Sequence, residues 1–212
     1  IRVLDHVKIL SDKIITYVIN EKPELIERAI QVCPEIITEE IIISVMKKNG
    51  LLLKYIPESF CTKYICEESV KNNPYALQYV PDKYKSNYVV LIALGKDGNT
   101  IRFVENQSNP LCLIAVRNNS NALKYIINQT NEICMIALEK DPLSFEYINN
   151  PTPEMCFHAI NKNALIMSFI NKQDMYLYIH CVLINPKALN YIRDLDTRQQ
   201  CKEILSEIEN LI

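Results

Sequence analysis

An all-α fold, a helical-hairpin repeat solenoid of about eight units with a C-terminal capping helix, follows from three features of the sequence. An aromatic residue returns at near-even spacing as Tyr55, Tyr79, Phe103, Tyr125, Tyr147, Phe169 and Tyr191, with gaps of 24, 24, 22, 22, 22 and 22 residues. Six residues before each aromatic stands an Asx residue: Asn49, Asn73, Asp97, Asn119, Asp141, Asn163 and Asn185. Four residues before each Asx stands a small or compact one: Val45, Ser69, Ala93, Ala115, Ala137, Ala159 and Cys181. A period of this length is the mark of stacked supersecondary units, none of which buries its own apolar face alone.

The chain reads as a single repeat domain over residues 1–212. Residues 1–35 form a diverged N-terminal unit and cap. Its phrase "TYVINEKPELIERA" aligns Pro23 with Pro74 but puts Lys22 and Arg28 where the Asx and the aromatic belong. Residues 36–194 hold seven regular repeats. Each predicts a first helix of about eleven residues, a capped turn, a second helix of about six or seven, and a connector. The Asx explains the turn, because its side-chain oxygen accepts from the free N–H groups that begin a helix. Proline follows in Asn73-Pro74, Asp141-Pro142 and Asn185-Pro186, at the position where a missing N–H costs nothing. The first helices start in the same way at Asn109-Pro110 and Thr152-Pro153. The two-residue change in period falls in the connector. Tyr55 to Ile65 is ten residues, whereas Phe103 to Leu111 is eight. Residues 195–212 form the capping helix, with Cys201, Ile204, Leu205, Ile208 and Leu211 at helical spacing. The opening "IRVLDHVKIL" has neither an initiator Met nor a signal-peptide layout, and reads as a cut from a longer chain.

Composition narrows the function. The chain is 49% hydrophobic, enough for a sizeable core, and no uninterrupted apolar stretch reaches membrane-spanning length. A net charge of −2 without clustered Lys and Arg makes nucleic acid an unlikely partner. Only 3 Gly leave no glycine-rich phosphate loop. The 8 Cys contain no CxxC, and the spacing of the nearest pair, Cys61 and Cys66, fits no zinc knuckle. Cys66, Cys112, Cys134 and Cys156 share one repeat position with Val90 and Ile42, which makes it an apolar core position. The expectation is buried free thiols in a reducing compartment.

The units "ICEESVKNNPYALQYVPDKYKS" and "LCLIAVRNNSNALKYIINQT" resemble the short helical repeats of unknown function found in many copies in giant viruses of the Mimivirus group. The resemblance covers roughly residues 36 to 194. A weaker likeness is to leucine-rich variant repeats. The first family carries no assigned chemistry, so the resemblance implies no catalytic residue. It implies a viral origin, with the host-cell cytoplasm or the virion as location.

No catalytic, cofactor-binding or metal-binding residue is expected. His158 and His180 share one repeat position on successive units, but Ser44, Glu68, Ile92, Ile114 and Ile136 fill it elsewhere. The seven Asx residues named above are structural caps. The aromatic anchors are expected in the core or stacked between units rather than against bases. The informative feature is a stripe on the first helices, on the side away from the core arc. Six residues before the Asx it reads Leu91, Leu113, Met135, Phe157 and Ile179, after Glu67 in the preceding unit. Beside it run Ile92, Ile114, Ile136, His158 and His180. A continuous apolar face is either buried by stacking or is a surface for a partner. The function expected is a non-enzymatic scaffold for protein–protein interaction, through a viral or host protein or through self-association. The alternative is a repeat-type RNA binder, and a further one is a non-catalytic domain of a larger viral enzyme or adaptor.

Overall fold

The computed structural model describes residues 12–170 and 175–211. The first eleven residues of the expected N-terminal unit and Ile212 of the expected cap lie outside them. Every described element is helical, and no strand occurs among the described residues. The chain divides into two compact units, Ile1–Asn106 and Gln107–Ile212.

The first unit holds α1 (Asp12–Glu21), α2 (Ile26–Val32), α3 (Glu39–Lys48), α4 (Lys63–Asn72) and α5 (Asn87–Lys96). The second holds α6 (Asn109–Asn118), α7 (Asn131–Lys140), α8 (Pro153–Lys162), α9 (Met175–Ile184) and α10 (Leu195–Leu211). From α3 to α9 each helix has ten residues and is followed, after one Asx, by a six-residue 3-10 helix such as Pro74–Tyr79 or Pro142–Tyr147. Within each unit the α-helices pack on their sequence neighbours, and so do the 3-10 helices. Each unit is therefore a stack of helical hairpins.

One residue makes each junction. Asn119, for example, is extended at φ −142° and ψ 114°. Its N–H closes α6 on the Ala115 carbonyl, and its Oδ1 accepts from the Asn121 N–H to open the 3-10 helix. All seven junctions share this geometry, with side-chain acceptor distances from 2.9 Å at Asp97 and Asp141 to 3.2 Å at Asn185. In the diverged unit Lys22 has no acceptor to offer and makes no side-chain cap. There a 3-10 turn, Pro23–Leu25, runs straight on into α2.

The second helix of each hairpin is a 3-10 helix, longer than the short runs usual for this geometry. The residues one, four and seven after the Asx lie on one side when three residues make a turn. Gly50, Leu53 and Ile56, Gly98, Ile101 and Val104, and Ser120, Leu123 and Ile126 are buried there, but Pro74, Pro142, Ile148, Pro186 and Leu189 are not, whereas the residue three after the Asx is buried in all seven repeats. The aromatic anchors, six after the Asx, fall off this side. Tyr79 and Tyr191 are exposed and the other five half-buried, so the anchors are not core residues. Several hold cations instead: Lys54 lies 4.4 Å from the Tyr55 ring centre, and Lys124 lies 5.9 Å from those of both Tyr125 and Tyr147.

The cores are built from the first helices. Ile65, Cys66, Ser69 and Val70 of α4, and Ile133, Cys134, Ala137 and Leu138 of α7, are buried. Ala93, Ala115, Ala137 and Ala159 are wholly inaccessible, as small residues must be where helices approach closely. All eight cysteines are buried free thiols. Burial pushes the Cys112 and Cys134 thiols up, and that of Cys181 up to about 12, so they stay protonated. The extra residues of the two longer connectors form the 3-10 turns Glu58–Phe60 and Asp82–Tyr84. The helix α10 packs on α9 and on the last 3-10 helix, Pro186–Tyr191, burying Cys201 and half-burying Ile204, Leu205 and Ile208.

A candidate interaction surface on the first helices

The stripe residues lie on the outer side of the first helices, but solvent reaches them unequally. In the first unit Leu91 is 42% exposed and Ile92 half-buried. In the second unit Leu113, Ile114, Met135, Ile136, Phe157, His158, Ile179 and His180 are all half-buried. This follows from the packing of α6 on α7, α7 on α8 and α8 on α9, where each side chain lies partly in the groove beside the next helix. The stripe is thus neither fully buried nor fully open.

The larger exposed groups stand next to it, and sequence reasoning missed them. Nine residues before the Asx, one helical turn from the stripe, are Tyr64 (48% exposed), Tyr88 (54%) and Tyr176 (68%). Their signal was available: residues four apart share a helix face, so this position belongs with the one five before the Asx. In the first unit these tyrosines and Leu91 are accompanied by charge. Lys71 donates to Glu68 at 2.7 Å and lies 5.9 Å from the Tyr64 ring centre; the Glu68 carboxylate pushes its pKa up. In the second unit charge is absent from one helix altogether, since α9 reads "MYLYIHCVLI". Leu183 and Ile184 are exposed where other repeats carry Lys, Arg, Glu, Asn or Gly. His180 packs against Tyr176 at 4.2 Å and against Phe157 of α8 at 5.8 Å between ring centres. The structure therefore brings Phe157, Tyr176 and His180 into one aromatic cluster.

The neighbouring His158 is half-buried, and its Nε2 is enclosed without a hydrogen-bond partner. Among the described residues no group of three or more His, Cys, Asp or Glu is placed to hold a metal ion. On the 3-10 side of the second unit there is a cleft of about 360 Å³, with Phe145, Ile148 and Phe169 as its apolar lining and Glu146 and Arg193 among its polar residues. No helix among the described residues is long and apolar enough to cross a membrane.

Three further sets of residues hold the surface in place; of these the sequence marks only Thr152 as a helix start, and Asn109, marked with it, is instead the first residue inside α6, which follows Ser108 without a side-chain cap. Thr38, Thr62, Ser86, Thr130 and Thr152 cap the first helices, accepting from the N–H three residues on at 3.3–3.5 Å. Where the residue just before the Asx is Lys, it reaches back to the C-terminal carbonyls of the preceding first helix. Lys96 donates to the Lys71 carbonyl, Lys140 to those of Arg117 and Asn118, and Lys162 to that of Glu139. Gln107 and Gln129 clamp successive connectors, as when Gln129 donates to the Tyr147 carbonyl at 2.8 Å and accepts from the Asn149 N–H at 2.9 Å.

A family model described as a domain of unknown function (DUF4116) matches residues 38–85. The match runs from the Thr38 cap to the end of the connector before Ser86, which is two consecutive repeats. No curated protein and no solved structure matches the chain.

Proposed function

We propose that the chain is a non-enzymatic repeat scaffold whose first-helix side binds a protein partner. The observation that carries this reading is the placement of exposed aromatic and aliphatic residues beside the stripe: Tyr64, Tyr88 and Leu91 in one unit, Tyr176, Leu183 and Ile184 in the other. Tyrosine supplies a large contact area at small entropic cost and is over-represented among residues that dominate binding energy. The partner is a viral or host protein, or a second copy of the chain.

The test uses two surface variants, Tyr88→Glu with Leu91→Glu and Tyr176→Glu with Leu183→Glu. Affinity capture from the native cell, with the unaltered chain as reference, reads partner binding, and sedimentation reads self-association. The expected result is that at least one variant loses a partner or the self-associated species while its helical circular dichroism is unchanged. Retention of every captured protein and of the association state by both variants overturns the reading.

A repeat-type RNA binder is the second reading. It is supported by the cation–aromatic pairs of the 3-10 side, Lys54 with Tyr55 and Arg102 with Phe103. Glu146 and Ser168 stand at the same repeat position as those cations and interrupt the basic track, so the protein partner is preferred.

A further inference from the structure

Four first helices, α4, α6, α7 and α8, carry a thiol as their fourth residue, and only in α4 does a second thiol precede the cap. In α4 the cap is Thr62, so Cys61 precedes the cap and Cys66 is the fourth helical residue. These are the two positions whose side chains meet in a hydrophobic staple. In the preceding repeat the same positions, around the Thr38 cap, hold Ile37 and Ile42, both buried. At Cys112, Cys134 and Cys156 the residue before the cap is Gln107, Gln129 or Pro151 instead.

We infer that Cys61 and Cys66 form a thiol pair that closes to a disulfide when the chain meets a low-molecular-weight disulfide oxidant. Both side chains are buried at the two staple positions, and the Cys61 thiol lies 3.8 Å from the Ile56 carbonyl oxygen. They share a hydrogen bond, which holds the Cys61 thiol below its ordinary range and, with burial, pushes the Cys66 thiol up. Lys83 and Glu58, paired at 2.9 Å beside Cys61, act on its thiol in opposite directions. Cys61 is therefore the nucleophile and Cys66 the resolving thiol. The Cys61 thiolate attacks one sulfur of oxidised glutathione and expels glutathione thiolate. Cys66 then attacks the Cys61 sulfur of the mixed disulfide and expels the second glutathione. Two protein thiols are oxidised, one small disulfide is reduced to two thiols, and the protons of Cys61 and Cys66 end on the released glutathiones. Because Cys61 lies on a connector and not within a helix, a local opening of that connector admits the oxidant.

The experiment equilibrates the folded, reduced chain with oxidised glutathione, traps remaining thiols by alkylation, and maps the cysteines by mass spectrometry. The expected product has lost two hydrogens, carries one Cys61–Cys66 bridge and keeps six alkylated thiols. Cys66→Val, a residue already used at this register as Val90, should instead hold one glutathione on Cys61. Alkylation of all eight cysteines overturns the inference, provided the urea-unfolded chain oxidises under the same conditions. So does a bridge between any other pair, such as Cys156 and Cys181 on successive helices. Accumulation of an unresolved mixed disulfide at Cys61 in the unaltered chain also overturns it.

Discussion

At the scale of single residues, the Asx junction does the most for the fold, because one side chain ends one helix and starts the next. Removing its acceptor leaves the amide two residues on without a partner at a crowded turn. Asp141→Ala and Asn119→Ala should each lower stability by about 0.5–2 kcal/mol, read from the urea midpoint. An unchanged midpoint in both would mean that solvent replaces the cap. Gly50 is a second special residue. Its N–H donates to Asn72 Oδ1 at 2.8 Å, and a Cβ there would lie 2.1 Å from the Ser69 carbonyl oxygen. Gly50→Ala must displace backbone of the next repeat, and is expected to be more destabilising than Gly95→Ala, where a Cβ meets nothing within 4 Å. Asp194 gives a pH dependence. Its carboxylate accepts from the Thr197 N–H at 2.8 Å and from the Thr197 hydroxyl, and these bonds hold its pKa below the ordinary aspartate range. A depressed folded-state value adds stability that is present above the unfolded value, about 3.9, and is lost as pH falls through the lower folded one. Asp194→Asn should therefore lower stability slightly at neutral pH and flatten the acid limb of the stability curve, so that the two proteins converge as pH falls through the folded-state value.

At the scale of elements, the sequence announced the hairpin, its register and its cap, because Asx and proline act locally and their chemistry is visible residue by residue. It did not announce that the second helix is 3-10. The stretch "SNALKY" is short enough for either geometry, and its buried residues do not choose between them, since Ala122 and Leu123, three and four after the Asx, are buried together. The aromatic anchors misled because spacing alone does not show which side of so short a helix faces the next repeat. The lysines before the Asx were hidden because their acceptors lie about one repeat away. Lys140 bonds two carbonyls at the end of α6, so Lys140→Met, which keeps most of the stem but loses the donor, should cost about 0.3–1 kcal/mol. The stripe was legible as a pattern but not as an environment, because a half-buried groove and an open face need the same residues. Its half-burial in the second unit sets the outcome of Leu113→Glu with Met135→Glu: carboxylates would enter the grooves between α6, α7 and α8. That double variant should lose helical circular dichroism at a lower urea concentration, whereas Leu91→Glu, at an exposed position, should not.

At the scale of the molecule, the even period concealed a division. Twenty-two- and twenty-four-residue repeats follow one another without a linker in the sequence, yet the described chain forms two compact units meeting at Asn106 and Gln107 in the sequence. The longer repeats lie in the first and only the shorter ones in the second. In repeat proteins stability is close to a sum of unit and nearest-neighbour terms, so damage in one place need not melt the whole chain. Leu77 is wholly buried in the first unit, on the core side of the 3-10 helix Pro74–Tyr79. Leu77→Ala should remove about 2–5 kcal/mol from the elements packed on it. Hydrogen exchange followed by mass spectrometry locates that loss. Amides of α4, α5 and the 3-10 helix between them should exchange faster, while those of α7 and Pro142–Tyr147 in the second unit keep their protection. Faster exchange spread evenly over both units would show instead that the chain opens as one cooperative body. A scaffold built of separately stable units can lose a partner-binding face in one unit without unfolding the other. The paired surface variants, one in each unit, depend on that independence to give separable results.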